Sequence, residues 1–316
     1  MALNQQTLTH LARILGTRDA NRIQVSAGVA EALERKWKLH FNGVFSRIIE
    51  GTLNLIENNG LDYDIRKNSE WMFSEIADAL LEHELEVTTY AARTATLPEY
   101  VAIEGVTMAA QRAPAWPSDT VRIRTLWDRW RRTGKLPGRT AAQAAAIKAL
   151  YIRRVQTLMQ RRASEFISGK PKAIGYNEKG TIWNPDAFDR VAAKMAIEEE
   201  ARVSRARAST IIETETTRYY NTTRVNTYNA IDTVVGYYFI CVRDHATTEW
   251  CLSRRHAVLM KTSPLLKRNT PPCHYNCRSE LLPLSRLNPA HIKLLNDMSL
   301  RAENRVFVPL PPGWNQ

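Results

Sequence analysis

Apolar residues recur at steps of three and four along the first third of the chain. Over residues 26–58 they form one continuous stripe from Val29 to Ile56, which predicts a long amphipathic helix. Asn58-Asn59-Gly60 follows the stripe, and both residue types accept the left-handed turn that ends helices. A second stripe over residues 68–93 predicts a second helix, so we expect the pair to form a helical hairpin.

The pattern becomes less regular after this hairpin. Residues 97–117 contain three prolines, which indicate a connector that crosses the surface. We expect a short basic helix over residues 120–132, a loop over residues 134–138, and a long alanine-rich helix over residues 140–168. Residues 169–183 contain several Pro and Gly and are the best candidate for a domain boundary.

A third long helical pattern occupies residues 184–232. Asn184-Pro185-Asp186 supplies capping residues and an early proline at its start, and a break near Ser209 is an alternative to one continuous helix. The composition then changes to β-branched and aromatic residues over residues 233–242, which is typical of a strand. Residues 289–301 contain one further short helix.

These elements predict a mainly α protein with a small α+β C-terminal module that holds a few short strands and a zinc-knuckle-like loop. At 316 residues the chain exceeds the usual size of one hydrophobic core. We divide it into a helical N-terminal region suited to docking on a partner (residues 1–118), a basic helical segment (119–175), the C-terminal module (176–284) and a tail (285–316).

The sequence carries no signal for secretion or membrane insertion. Its first fifteen residues lack a basic segment followed by an apolar one. No stretch approaches the ~18 continuous apolar residues that a membrane span needs. We therefore expect a soluble protein that is made in the cytoplasm and does not enter a membrane.

The net charge of +12 is concentrated in one part of the chain. Residues 122–172 contain fourteen Lys or Arg and two acidic residues. The net charge of this segment is therefore +12, equal to that of the whole chain. A polyanion or an acidic protein surface is the expected neighbour of this segment. Trp127 and Trp130 have helical spacing and are interpreted as core residues. The cations that we expect to bind are Arg129, Arg131, Arg132, Lys135, Arg139, Arg153, Arg154, Arg161 and Arg162.

All four cysteines and three of the seven histidines fall within residues 241–277. The densest piece reads Pro271-Pro272-Cys273-His274-Tyr275-Asn276-Cys277-Arg278. In a reducing compartment, clustered Cys and His are more often metal ligands or free thiols than disulfides. Zinc commonly takes two ligands close in sequence and two from a distant turn, so we expect a structural zinc site here.

Five residues compete for the four places around such an ion. Cys251 and His256 form one half of the layout, and Cys273, His274 and Cys277 form the other. Adjacent cysteine and histidine residues rarely reach the same ion with good geometry. The leading set is therefore Cys251, His274 and Cys277, with Cys273 or His256 as the fourth ligand.

Two other residues of this region are interpreted without a metal. Cys241 lies in the predicted strand and is more consistent with a buried thiol than with a ligand. His245, like His256, can equally be a surface residue in a polar loop. The spacing alone does not identify the fourth ligand.

Four elements follow one another within residues 206–284, a quarter of the chain. They are Glu213-Thr214-Glu215-Thr216-Thr217-Arg218 with Asn221, the strand through Ile240, Asp244 with Thr247 and Cys251, and the segment 271–278. In this order they resemble the bacteriophage Mu F-like minor head proteins, which are also described as phage head morphogenesis proteins. The family pattern joins a helix with a Thr-Glu pair and a downstream Asn, an Asp-x-Arg-Thr-x-x-x-Cys element, and a final Pro-Pro-x-His-x-x-Cys-Arg-Cys element.

The chain departs from this pattern at two positions. Ala246 stands where the family usually has Arg, and Ser279 stands where it usually has the last Cys. If that last Cys is a ligand in relatives, Cys273 can replace it here and keep a site of four ligands. The resemblance marks Glu213, Glu215, Asn221, Asp244, Thr247 and Arg278 as motif residues.

The resemblance implies a structural, non-enzymatic protein of the virion. A few copies would attach at the portal vertex or in the head interior and act in head assembly or in DNA packaging or ejection. The implied partners are the portal protein ring, packaged DNA bound without sequence preference, and the scaffold or major capsid protein. The N-terminal helices would lie on the portal ring, and the basic segment would face the DNA.

Three functions from other classes compete with this one. A metal-dependent nuclease is indicated by Asp244 beside His245 near thiols, although no spacing typical of such an enzyme is present. An effector that resembles ADP-ribosyltransferases is indicated by Glu213 and Glu215, but a solvated helix face explains that pair better. A free DNA-binding regulator would use the basic segment and would bind duplex DNA with sequence specificity.

Overall fold

The computed structural model describes residues 5–15, 17–104, 138–167, 183–242 and 244–312, together with Thr125, Asp128, Arg132, Thr133 and Trp314. These residues form eight α-helices and three β-strands, which confirms the expected mainly α fold with a small α+β module. The helices are α1 (Gln5–Leu15), α2 (Thr17–Asn59), α3 (Glu70–Glu104), α4 (Gly138–Ile167), α5 (Arg190–Asn229), α6 (Glu249–Arg254), α7 (Leu265–Asn269) and α8 (Pro289–Asn296). The strands are β1 (Val234–Ile240), β2 (Val258–Met260) and β3 (Glu280–Ser285).

The described residues group into two units by their contacts. The first unit takes its residues from 1–35, 83–132 and 212–316, and the second takes them from 36–82 and 133–211. Helices α2, α3 and α5 therefore contribute segments to both units. The division into four consecutive segments stays a prediction.

In the second unit, α2 and α3 form the expected hairpin. Gly51 lies against the ring of Trp71, and Arg47 forms an ion pair of 2.7 Å with Glu75, so the two helices run in opposite directions. Helix α2 ends where the sequence predicts, because Gly60 takes a φ of 85° and donates its N–H to the carbonyl of Ile56 at 2.7 Å.

Side chains from α4 and α5 complete the second unit. The Tyr151 hydroxyl of α4 donates to Thr52 Oγ1 at 2.9 Å inside the core. Arg190, at the start of α5, donates to Glu50, Asn54 and Glu57 on α2. These contacts tie the N-terminal half of α5 to the hairpin.

In the first unit, β1 is the central strand of an antiparallel sheet with the order β2-β1-β3. The strand expected over residues 233–242 is therefore confirmed. Alternate residues of β1 enter two apolar clusters on opposite faces. Tyr237, Phe239 and Cys241 pack on the cysteine-containing side, whereas Tyr238 and Ile240 pack against α1 and α8.

Several element boundaries differ from the sequence prediction. Helix α5 is continuous through Ser209 and begins later than expected, at Arg190. Asn184 caps a separate short 3-10 helix, Pro185–Ala187, while Asp189 accepts the N–H of Ala192 at the start of α5. The cap of α5 lies five residues after Asn184 because the proline turn ends before the helix begins.

The other differences lie at the ends of α2 and α3. Helix α2 starts at Thr17, nine residues before the predicted start, and α3 continues to Glu104 through the first part of the predicted connector. The rest of that connector, the loop over residues 134–138 apart from its last residue, and the boundary at 169–182 lie outside the described residues. Most of the predicted basic helix, with Trp127 and Trp130, also lies outside them.

Candidate metal centre

Three of the expected ligands meet in the first unit. Cys251 lies on α6, and His274 and Cys277 lie in the loop between α7 and β3. Cys251 Sγ is 3.2 Å from His274 Nε2 and 3.6 Å from Cys277 Sγ. All three side chains are buried, and their donor atoms lie within 4.8 Å of one another, so they can hold an ion. We call Cys251, His274 and Cys277 the metal group.

The imidazole of His274 is oriented toward the sulfurs. Its Nδ1 donates to the carbonyl of Tyr275 at 2.6 Å, which leaves Nε2 facing Cys251. A second hydrogen bond of this kind fixes the tautomer of metal-binding histidines.

Helix α5 positions the loop through side chains on one face. Thr217 Oγ1 donates to the carbonyl of Cys277 at 2.6 Å, and Thr214 Oγ1 accepts the N–H of Asn276 at 3.1 Å. The Asn221 side chain donates to the carbonyl of Ser279 at 3.2 Å and accepts the N–H of Leu281 at 3.0 Å. Helix α5 thereby satisfies backbone groups before and after Cys277.

A compact turn before α6 positions the same loop from the other side. The carboxylate of Asp244 accepts the N–H of Ala246 at 3.0 Å, and Thr247 bonds to Asp244 through both its N–H and its hydroxyl. Arg278 donates one hydrogen bond of 2.6 Å to each oxygen of Asp244. These bonds lower the pKa of Asp244 to about 2, with the Arg278 contribution the largest.

Two further residues touch the metal group. Ser279 Oγ donates to Cys251 Sγ at 3.1 Å, so position 279 faces the site. Cys273 is buried beside Cys251 and Cys277, and its hydrogen bonds with these two sulfurs, together with burial, raise the pKa of its thiol.

The pKa shifts of the site favour the ligand form at Cys277 but the protonated, non-ligand form at His274. Burial lowers the pKa of His274, but the Cys251 and Cys277 sulfurs outweigh burial and raise it to about 10. Burial raises the pKa of Cys277, yet hydrogen bonds from Cys251, Cys273 and His274 bring it well below its ordinary value. A metal ion bound here would require His274 to lose its proton, because only neutral imidazole binds a metal.

The remaining candidates of the cysteine region lie elsewhere. His256 is outside the metal group: its Nδ1 is 2.5 Å from the Tyr238 hydroxyl, and its ring lies 4.4 Å from that of His10. His245 is exposed. Cys241 directly follows β1 and is buried, and burial raises the pKa of its thiol to about 11.

One interpretation of the motif helix requires correction. Glu215 does not lie on a solvated face: it is buried and forms an ion pair of 3.2 Å with Arg218. Glu213 is half-buried. Glu215 therefore belongs to a face of α5 that packs, whereas Glu213 points to another side of the helix.

Sequence reasoning missed two buried arginines near the site. Arg254 of α6 donates to Asn269 Oδ1 at 2.7 Å and to the carbonyls of Trp250 and Val308. Arg224 of α5 forms a buried ion pair with Glu280. A charged residue inside a basic chain gives no sequence signal that it is buried, so neither could have been selected.

The described cations of the basic segment differ in their surroundings. Arg132, Arg139, Arg153 and Arg161 are exposed, whereas Arg154 and Arg162 are half-buried. Arg154 forms an ion pair of 3.0 Å with Glu200. Arg129, Arg131 and Lys135 lie outside the described residues.

Comparisons with known proteins add no relative. No family model, no curated protein and no solved structure matches this chain. Within the described residues, none of the helices combines the length and the apolar character that crossing a membrane requires. What the chain does is therefore inferred from its own residues.

Proposed function

We propose that this chain is a structural minor head protein of a tailed bacteriophage that acts at the portal vertex in head morphogenesis. One observation supports this most. The motif residues quoted for the resemblance bond to one another across the fold, as in the 2.6 Å bond between Thr217 and the carbonyl of Cys277, sixty positions apart. Because its distant parts are bonded to one another, the motif forms a structural unit.

The bond network also explains which residue types the motif requires. Asn221 needs both a donor and an acceptor, because it pairs with a carbonyl and an N–H of the chain that leads into β3. Asp244 and Arg278 need the planar, two-bond geometry that only a carboxylate and a guanidinium provide. Asn221, Asp244 and Arg278 are all engaged in bonds that hold the fold together, which favours assembly over catalysis.

The ion we propose for the metal group is structural zinc. Two sulfurs bound to one zinc ion at ~2.3 Å lie ~3.8 Å apart, close to the 3.6 Å between Cys251 and Cys277. Cys and neutral His are the ligands of structural zinc sites, and closed sites contribute to folding. The ion would join α6 to the loop that α5 holds.

Cys273 is the fourth ligand in this proposal. Its thiol interacts with both other sulfurs, but it does not belong to the three donors that lie within 4.8 Å of one another, so the loop must move for all four to reach one ion. Ser279 occupies the place of the last family Cys and touches Cys251. Cys273 therefore compensates for the thiol that position 279 lacks.

The two outer regions fit the partners of a head protein. The long amphipathic helices at the N-terminus suit a helical portal ring, with the scaffold or major capsid protein as further partners. Exposed Arg153 and Arg161 on α4 suit contact with packaged DNA, since phosphate neutralisation by arginine is independent of sequence. DNA binding by the purified chain should therefore weaken steeply with salt and show no preferred sequence.

The proposal is tested on purified phage particles. Mass spectrometry should detect this chain in mature particles, and cross-linking should join it to the portal protein. A phage with a stop codon in this gene should produce defective heads. Normal, infectious particles that lack the chain would overturn the proposal, whereas high-affinity binding to one duplex sequence would favour a regulator.

A further inference from the structure

A cavity of about 310 Å³ lies in the first unit, between the C-terminal half of α5 and the segment around α7. Its floor is apolar and includes Val225 and Leu266. Its polar walls carry Arg218, Thr222, Asn226 and Asn229 on α5, and Lys267 and Thr270 on the opposite side. We call this cavity the α5/α7 groove.

The polar residues of α5 form a single stripe that opens into the groove. They follow one another at steps of four, four and three, so they lie on one face of the helix. Thr222, Asn226 and Asn229 are exposed, although this half of α5 is otherwise largely buried. Helix α5 therefore forms one wall of the groove and presents hydrogen-bonding groups to solvent there.

The charge of the groove is positive. Arg218 and Lys267 line it from opposite sides, and none of its lining residues is acidic. Arg218 is anchored by the buried carboxylate of Glu215 and by the ring of Trp314, 5.6 Å from its guanidinium carbon. Lys267 is exposed, and among the described residues no carboxylate forms an ion pair with it.

The neutral groups of the groove add donors. Asn229 Oδ1 accepts the Tyr237 hydroxyl at 2.6 Å, which leaves the amide nitrogen to donate to a ligand. Lys267, the anchored guanidinium of Arg218 and the amide of Asn229 around a small apolar floor match a phosphate group with an attached organic part. The volume fits one nucleotide or one phosphodiester unit, near the lower limit of small-molecule sites.

We propose that the α5/α7 groove binds a phosphate-bearing ligand. This site is separate from the metal group and from the basic segment, and it does not depend on the proposed function. Two sources share the required chemistry: a free nucleotide or inorganic phosphate, and the backbone of a single-stranded nucleic acid. Salt and competing phosphate should both weaken binding, because the recognition is ionic.

Two probes separate the sources in the full-length chain. Equilibrium dialysis measures binding of inorganic phosphate and of a nucleoside monophosphate, and fluorescence anisotropy measures binding of a ten-nucleotide single strand. The informative variant is Lys267→Glu, since this exposed side chain can change without loss of a structural contact. The matched control is Lys293→Glu, an equal change of charge at an exposed lysine that does not line the groove.

Lys267→Glu should weaken binding about tenfold or more, whereas Lys293→Glu should leave it within about twofold of the unaltered chain. If phosphate and the nucleotide show this difference, the ligand is a free phosphate compound. If only the single strand shows it, the ligand is a nucleic-acid backbone. The proposal is overturned if no probe binds at millimolar concentration, or if both variants weaken binding equally.

Discussion

Arg278 and Asp244 are joined by two parallel hydrogen bonds of 2.6 Å, one to each carboxylate oxygen. The pair links the turn before α6 to the residue that directly follows Cys277. The two halves of the metal group are therefore held together by a contact that needs no ion. This contact and the ion act on the same two chain segments, so their contributions to stability can be separated by substitution.

We expect Asp244→Asn to lower the free energy of unfolding by about 1 kcal/mol, since the pair is partly exposed and screened by solvent. The variant removes the charge but keeps the shape of the side chain. Urea unfolding at neutral pH measures the change. Asp232→Asn, at an exposed aspartate, is the matched control and should unfold like the unaltered chain. Equal stability of the two variants would show that the Arg278 pair contributes nothing.

Metal content gives the most direct test of the cysteine region. Cys277→Ser should lose the bound zinc, because Cys277 is one of the three residues of the metal group. Cys241→Ala should keep it, because Cys241 directly follows β1 and does not belong to the metal group. Elemental analysis of purified protein measures both. A chelator should lower the Tm of the unaltered chain by several degrees and leave that of Cys277→Ser unchanged.

The fourth ligand is tested by moving a thiol between two positions. Cys273→Ser should weaken zinc binding by about 100-fold, since even the loss of a supporting contact costs 10–100-fold. Adding Ser279→Cys to that variant should restore affinity, because residue 279 already lies 3.1 Å from Cys251. Competition with a chromophoric chelator measures the affinities. Full affinity in Cys273→Ser alone would remove Cys273 from the ligand set.

The sequence predicted the helices well because their signal is local. The apolar period marks α2 and α4, and Gly60 marks an end that only a residue with positive φ tolerates. The start of α2 at Thr17 could not be predicted, since residues before Val29 lack a continuous stripe. Asp189 was missed as the cap of α5 because Asn184 offered an equally suitable cap a turn earlier.

The metal group was only partly predictable. The sequence selected Cys251, His274 and Cys277 from the usual layout of zinc ligands, two close in sequence and the others from a distant turn. It could not separate Cys273 from His256. That choice depends on the chain after α6, where His256 takes a φ of 65° and contacts Tyr238 in place of the sulfurs. Such a turn depends on how the sheet packs, so the sequence alone does not predict it.

Close packing of α2 on α3 predicts opposite effects for two glycines of one helix. A Cβ added at Gly51 would lie 2.3 Å from the ring of Trp71, whereas one at Gly43 would have its nearest neighbour, the Arg47 guanidinium, at 4.0 Å. Gly51→Ala should therefore cost about 1–3 kcal/mol, and Gly43→Ala should stabilise by about 0.5–1 kcal/mol.

Thermal unfolding followed by circular dichroism measures both changes. Combining Gly51→Ala with Trp71→Leu should recover part of the loss, because the shorter side chain leaves room for the new methyl group. A Gly51→Ala variant as stable as Gly43→Ala would mean that the two helices are not in close contact at this point.

Stability should fall in mild acid because of a buried histidine. His83 is fully buried, with Nε2 2.8 Å from Thr216 Oγ1, and burial lowers its pKa to about 3. The unfolded chain takes up this proton near pH 6.5, so it binds more protons than the folded chain between about pH 6.5 and pH 3. The free energy of unfolding therefore decreases as the pH falls through that range.

Between about pH 7 and pH 5 this one histidine should cost about 2 kcal/mol. Urea unfolding at both pH values should show that loss in the unaltered chain and in His245→Gln, which changes an exposed histidine. His83→Gln should be less stable at pH 7 but should lose about 2 kcal/mol less on acidification. The metal group is the same in all three proteins, so its own response to acid cancels in the comparison. If His83→Gln loses as much stability as the unaltered chain, protonation of His83 is not coupled to unfolding.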